Sequence, residues 1–308
     1  MRYALGGNGH RWLRQWTPVV AFMKSNAYEK YVAENVRLLE EARGHPKGGF
    51  EPAGRPAIPP DAPKALFFAP HPDDECVVGG LALRLLRQGR FRVVDVAVTL
   101  GSLVERRAER LRELRGACGY LGFELALTAP LGLERINPKA RDQDPAHWQR
   151  CVKVVADILA QNRPRVVMCP HEHDWNTTHI GTHFVVFDAL KQMPADFECV
   201  VIETEFWGQM NDPNLLVELS PTDLADMIAA TTFHLGEIAR NPYHLKLPAW
   251  AMNNVLRGSE LVGGQGGAGA DFPFGAVYRL RRWRQGELVR TYSGGKIVPC
   301  GEDITRVL

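Results

Sequence analysis

Between residues 65 and 205 short apolar runs alternate with amphipathic stretches. In order they are the run at 65–70, GLALRLLRQG, FRVVDVAVTL, a helical pattern over 103–120, FELALT, a helical pattern over 147–161, RVVMCP, a helix from about 178 to 191, and ECVVIETEFW. The strand-type runs are Val-rich and lack polar alternation, so both of their faces need covering. Strands of that kind, each followed by a helix, predict an α/β fold: a Rossmann-like, mostly parallel sheet with helices on both faces. Such sheets bind their ligands outside the carboxyl ends of the strands. The residues just past each apolar run are therefore the ones to read for chemistry.

The first run ends in APHPDDE, which packs His71, Asp73, Asp74 and Glu75 into five positions. Three neighbouring carboxylates repel one another and are costly to bury alone, so a positive partner is expected. The run RVVMCP supplies a candidate, because it ends in PHEHDWNTTHIGTH with His171, His173, Asp174, His179 and His183. Each cluster alone has a plain structural explanation. HPDD can serve as a helix N-cap, and His183, one turn after His179, suits the core or a supporting contact. Two histidine-and-acid clusters at two strand ends of one sheet favour a bound metal instead. Two histidines and one acid with open positions suit catalytic zinc or non-haem iron(II).

The rest of the chain sets bounds. Its 308 residues carry a net charge of +2 and are 45% hydrophobic, enough for a full core. The basic residues are interspersed with acids, and RRAERLRELR reads as a solvated helix face, so no nucleic-acid partner is expected. A small, sugar-like partner fits better. The six cysteines form no CxxC pair and read as reduced thiols of a cytoplasmic protein, with Cys76 assigned to packing. No signal pattern opens the sequence and no apolar run reaches the roughly 18 residues of a membrane span, so no stable membrane insertion is expected. Three regions follow: an N-terminal helical extension with a Pro/Gly-rich linker at 1–60, an α/β core at 61–210, and a loop-rich C-terminal subregion at 211–308 that completes the cleft. The Trp-, Tyr- and Asn-rich stretches of the last region suit a loop-built wall against a sugar ring, or ordinary packing. GGQGGAGA reads as a flexible loop, with a lid as one role for it.

APHPDDE after an apolar strand, TLGS leading into RRAERLRELRGACGYLGFE, and a strand ending in proline before a histidine-rich turn into TTHIGTH resemble the PIG-L/LmbE family of zinc-dependent N-acetylglucosamine (GlcNAc) deacetylases, over about residues 64–205. The resemblance implies that His71, Asp74 and His179 hold one zinc ion per chain. It also implies that Asp73 acts as general base while the N-acetyl group of a GlcNAc-type glycoside is hydrolysed. Where the family has a His-Pro-Asp-His turn, this chain has Asn176-Thr177-Thr178-His179. Asn176 can still donate a hydrogen bond to an oxyanion, but proton delivery to the leaving amine falls to Asp73 or His173. Arg106 is a candidate for a substrate hydroxyl or phosphate, and Asp271 matches a late acidic-aromatic motif that lies near the substrate in relatives. The partner implied is a small N-acetylated sugar or glycoconjugate, and a homo-oligomer is compatible. An iron(II) oxygenase and a non-catalytic sugar-binding relative are the alternatives.

Overall fold

The computed structural model describes residues 26–308. They fall into two compact units divided between His45 and Pro46. In the first, helix α1 (Tyr28–Arg43) buries none of its residues, and Arg37 pairs with Glu34 and Glu41, each at 2.7 Å. The part of the expected N-terminal extension that precedes residue 26 lies outside the described residues.

The second unit holds β1 (Lys64–Ala69), α2 (Asp74–Val77), α3 (Gly80–Arg87), β2 (Arg92–Ala97), α4 (Arg107–Leu121), β3 (Glu124–Leu127), α5 (Pro138–Gln143), α6 (Pro145–Asn162), β4 (Val166–Pro170), α7 (Thr177–Leu190), β5 (Cys199–Thr204), β6 (Leu215–Glu218), α8 (Pro221–Thr231), α9 (Leu235–Arg240), α10 (Tyr243–Leu261), β7 (Gly275–Arg284), β8 (Glu287–Arg290) and β9 (Lys296–Val298). Among the described residues these nine strands form one sheet in the order β3-β2-β1-β4-β5-β7-β6-β9, with β8 on β7. The first five strands are parallel, as the unbroken Val-rich runs require. On β1, Ala65, Phe67 and Ala69 enter the core on one face, and Leu66 and Phe68 enter a second core on the other. Helices therefore cover both sides.

Residues 211–308 contribute more regular structure than a loop-rich subregion implies. β7 inserts antiparallel between β5 and β6, and its Tyr278 hydroxyl accepts from the Leu81 amide at 3.0 Å and donates to the Val78 carbonyl at 3.1 Å. The stretch beginning at NPYHLK, read as either a loop-built wall or ordinary packing, is mostly the helix α10. GGQGGAGA is mostly exposed and is not part of the lining of the large cavity described below. The described residues include no helix long and apolar enough to cross a membrane.

Candidate metal centre and its cleft

Strand order reverses between β1 and β4, because β2 lies on one side of β1 while the chain returns on the other. That switch point leaves a crevice at the strand ends. β1 delivers His71 and Asp74 to it, and β4 leads through the turn 171–176 into α7, which delivers His179. Asp73 sits at the tip of the first turn with φ 117°, a left-handed conformation costly for a non-glycine residue. The surroundings hold it there. Its amide donates to Glu75 Oε2 at 2.9 Å, and Arg110 Nη2 donates to the neighbouring Pro72 carbonyl at 2.9 Å.

His71, Asp74 and His179 each bring a donor atom within 4.8 Å of the others. Asp74 Oδ2 lies 3.4 Å from His179 Nε2 and 3.6 Å from His71 Nδ1. His179 is 3% exposed, and its Nε2 has no hydrogen-bond partner among the described residues. Its Nδ1 faces Asp174 Oδ2 at 3.3 Å, which leaves Nε2 as the free donor toward the cluster. Burial works against charge on His179, yet the Asp74 and Asp174 carboxylates carry its pKa above the ordinary imidazole value. Burial likewise pushes Asp74 up, but His179 and His71 hold it below the usual carboxylate range. Two imidazoles, a carboxylate and an orphaned buried nitrogen fit a divalent ion of the zinc type.

Asp73 differs from its neighbours. Burial, and then the Asp74 charge, push its carboxyl well above the usual range. Glu75, fully buried, is matched instead by His234, whose Nε2 donates to Glu75 Oε1 at 2.7 Å. The positive partners demanded by the HPDDE run are thus the histidines of the cluster for Asp74 and His234 for Glu75. Cys76 is buried in the core, as expected, and all six cysteines are free.

The crevice opens into a cavity of about 1160 Å³ whose lining includes His71, Asp73, Asp74, Arg106, Trp175 and Asn176. Asn176 caps α7, its Oδ1 accepting from the Thr178 amide at 2.9 Å. His173, expected to aim at the same cleft, does not line it. Its side chain is 74% exposed, because the inner position of the turn is taken by His171, which accepts the His173 amide at Nδ1 and donates from Nε2 to the Gly208 carbonyl at 2.8 Å. Asp271 is also exposed and away from the cavity. His183 is not among the three residues of the cluster; its Nδ1 donates to the Pro170 carbonyl at 3.1 Å.

The arginines of RRAERLRELR correct the reading of that stretch as a solvated face. Arg106, Arg107 and Arg110 all line the cavity, and Arg107 is 7% exposed. Phe206, Trp207 and Tyr243 supply an aromatic side, with Trp175 and Trp207 ring centroids 5.8 Å apart. Glu237 and Arg240 from α9 complete the lining and carried no signal of their own in the sequence.

The fold and site together define an α/β protein with a candidate metal centre at the switch point of its sheet. Residues 66–190 match the family described as PIG-L, GlcNAc-PI de-N-acetylase. Among solved structures, a conserved protein from Thermus thermophilus is similar with 18% identity and TM-score 0.53, over 70% of this chain and 94% of that one. The N,N'-diacetylchitobiose deacetylase of Pyrococcus horikoshii is similar with 17% identity and TM-score 0.50, over 84% and 94%. GalB, the 4-carboxy-2-hydroxymuconate hydratase of Pseudomonas putida, is similar with 14% identity and TM-score 0.53, over 71% and 95%. At such identities the likeness is one of fold. No curated protein matches this chain.

Proposed function

We propose that this protein is a zinc-dependent deacetylase that hydrolyses the N-acetyl group of a GlcNAc-type glycoside. The observation that carries the reading is the His71, Asp74 and His179 cluster, in which Asp74 and His179 are buried and His179 Nε2 has no partner among the described residues, set beside Asp73 in the wall of a large cavity. The PIG-L match supports it, as does the likeness to a diacetylchitobiose deacetylase. The fold alone does not decide, since a hydratase shares it.

His71, Asp74 and His179 would hold the ion, which when bound supplies a Lewis acid and lowers the pKa of water toward about 7. Asp73 takes the proton of the attacking water. A carboxyl whose affinity for protons is raised by burial is suited to that task near neutral pH. With Oδ1 engaged by Thr178, Asn176 has its Nδ2 left to donate to the oxyanion formed from the amide carbonyl. Since His173 is turned outward, the proton returns to the leaving amine from Asp73. The amide bond and water become acetate and a free amine. Trp175, Phe206, Trp207 and Tyr243 offer ring faces to a sugar. We place the protein in the cytoplasm, on its free cysteines.

Acetate release from N-acetylated glycosides, with and without chelator, tests the reading. Turnover should vanish with chelator, return with zinc, and proceed without oxygen. Full turnover after metal removal, or a strict need for oxygen, would overturn it.

A further inference from the structure

We infer that His234 is a positioning residue for the base Asp73: through Glu75 it holds the left-handed turn that presents the Asp73 carboxyl to the cleft. The inference rests on the deacetylase reading and adds to it a residue that touches neither the metal cluster nor the cavity lining. Asp73 stands at φ 117° and ψ −25°, a conformation that persists only where the surroundings over-determine it. Its amide donates to Glu75 Oε2 at 2.9 Å. The other oxygen of that carboxylate, Oε1, accepts from His234 Nε2 at 2.7 Å and from Cys76 Sγ at 3.0 Å. Glu75 and His234 are both fully buried, and among the described residues no lysine or arginine pairs with Glu75. Burial works against charge on His234, yet Glu75, and then Asp73, carry its pKa above the ordinary imidazole value.

His234 is itself fixed. It sits between α8 and α9 as the residue before Leu235, its amide donates to the Thr231 carbonyl at 3.2 Å, and the Gly236 amide two residues on donates to Glu113 Oε1 at 3.1 Å, which ties this turn to α4. A chain of contacts therefore runs from the α8–α9 turn through His234 and Glu75 to the Asp73 amide. An ion pair that served stability alone would account for Glu75 Oε1. It would not account for the second oxygen of the same carboxylate holding the amide of the residue that has to be aimed. Without His234, Glu75 is a buried carboxylate with no charge partner, and such a group turns toward water or takes up a proton. In either case Oε2 is no longer a fixed acceptor for Asp73. Misplacement of a reacting group by about 1 Å can cost on the order of 10²-fold in rate. His234 lies beyond residues 66–190, which contain Asp73 and Glu75 but not the side chain that fixes them.

Kinetics and crystallography of the full chain, loaded with zinc, provide the test. His234→Leu should lose about 10–100-fold in kcat while its KM and its zinc content by element analysis stay essentially native. In an Asp73→Asn background the same change should cost little more, because a residue that acts through Asp73 then has nothing left to aim. His234→Gln, whose amide reaches the place of Nε2, should recover much of kcat. In a crystal structure of His234→Leu, Asp73 should leave its left-handed conformation while His71, Asp74 and His179 keep their places. Should the leucine variant fail to fold, His234→Asn, whose amide reaches only as far as Nδ1, takes its place with the same expectations. Native kcat in that variant, an equal loss in the Asp73→Asn background, a glutamine variant no better than the leucine one, or Asp73 unmoved in the crystal would overturn the inference. The crystallographic arm needs no turnover, so it decides on His234 even if the native chain releases no acetate from any glycoside, an outcome that speaks against the deacetylase reading alone.

Discussion

His179 and His183 stand one turn apart on α7, and each faces two carboxylates: Asp74 and Asp174 for the first, Glu203 and Glu172 for the second. Both clusters hold ligand-type atoms within 4.8 Å. The difference lies in what else arrives. Around His183, Arg279 donates to both Glu203 and Glu172, and Arg281 donates to Glu203 at 2.8 Å, so the acids are already neutralised. Among the described residues no guanidinium pairs with Asp74 or Asp174, and His179 Nε2 is left without a partner. The Glu75, Cys76 and His234 group resembles the closed case in that Glu75 Oε1 and His234 Nε2 already pair at 2.7 Å, although His234 Nδ1 has no partner among the described residues. Residue types and closeness are shared by all three clusters. What marks a metal centre is negative charge and a lone pair that the protein itself leaves unmatched.

The largest effect should come from breaking the open cluster. His179→Ala and Asp74→Ala should each lose the bound ion and at least about 10³-fold in turnover, the worth of several kcal/mol of transition-state stabilisation. His183→Gln should keep its metal, as element analysis of the purified variants would show. Next, Asp73→Asn should retain the ion and lose about 10²–10⁴-fold in kcat, the usual contribution of a general base; near-normal turnover would remove Asp73 from the chemistry.

The closed cluster should answer in stability and not in metal content. Arg279→Met leaves Glu203 buried with only Arg281 and should cost about 3–5 kcal/mol in denaturant unfolding. The same variant has a pH signature. Burial pushes Glu172 up, but its own backbone amide and Arg279 bring it from 4.5 down to about 2. A depressed folded pKa contributes stability above the unfolded value that is lost as pH falls through the folded one, so the native chain should lose stability between pH 4.5 and about 2. Arg279→Met should flatten that limb. The smallest effect is expected at the contact behind the open cluster: Asp174→Asn should weaken metal binding by about 10–100-fold, measured by competition with a chelator, because it orients His179 without touching the ion.

Much of this molecule is legible along the chain. α7 was expected from about 178 to 191 and runs Thr177–Leu190, and the Val-rich runs are the parallel strands. The residues of the open cluster stand out because imidazoles and carboxylates follow directly on two apolar runs. The arginines of α4 were less legible. Helical spacing says which side chains share a face, but not whether that face meets water or a cavity. His173 illustrates a second limit, since a turn of six residues can admit only one ring to its inner side, and the backbone path gave that place to His171.

By itself the sequence determined the layered α/β plan and the two strand ends where charge would gather. Both follow from local patterning, in which hydrophobic period and strand length act over a few residues. Only the tertiary structure decided which charges are answered and by whom. His234 meets Glu75 across 159 positions, Arg106 meets Glu237 across 131, and Arg279 meets Glu203 across 76. Such pairs depend on the sheet order that brings β7 and α9 back to the first strands, and Coulomb interaction depends on distance in space and on burial, neither of which is written in sequence separation.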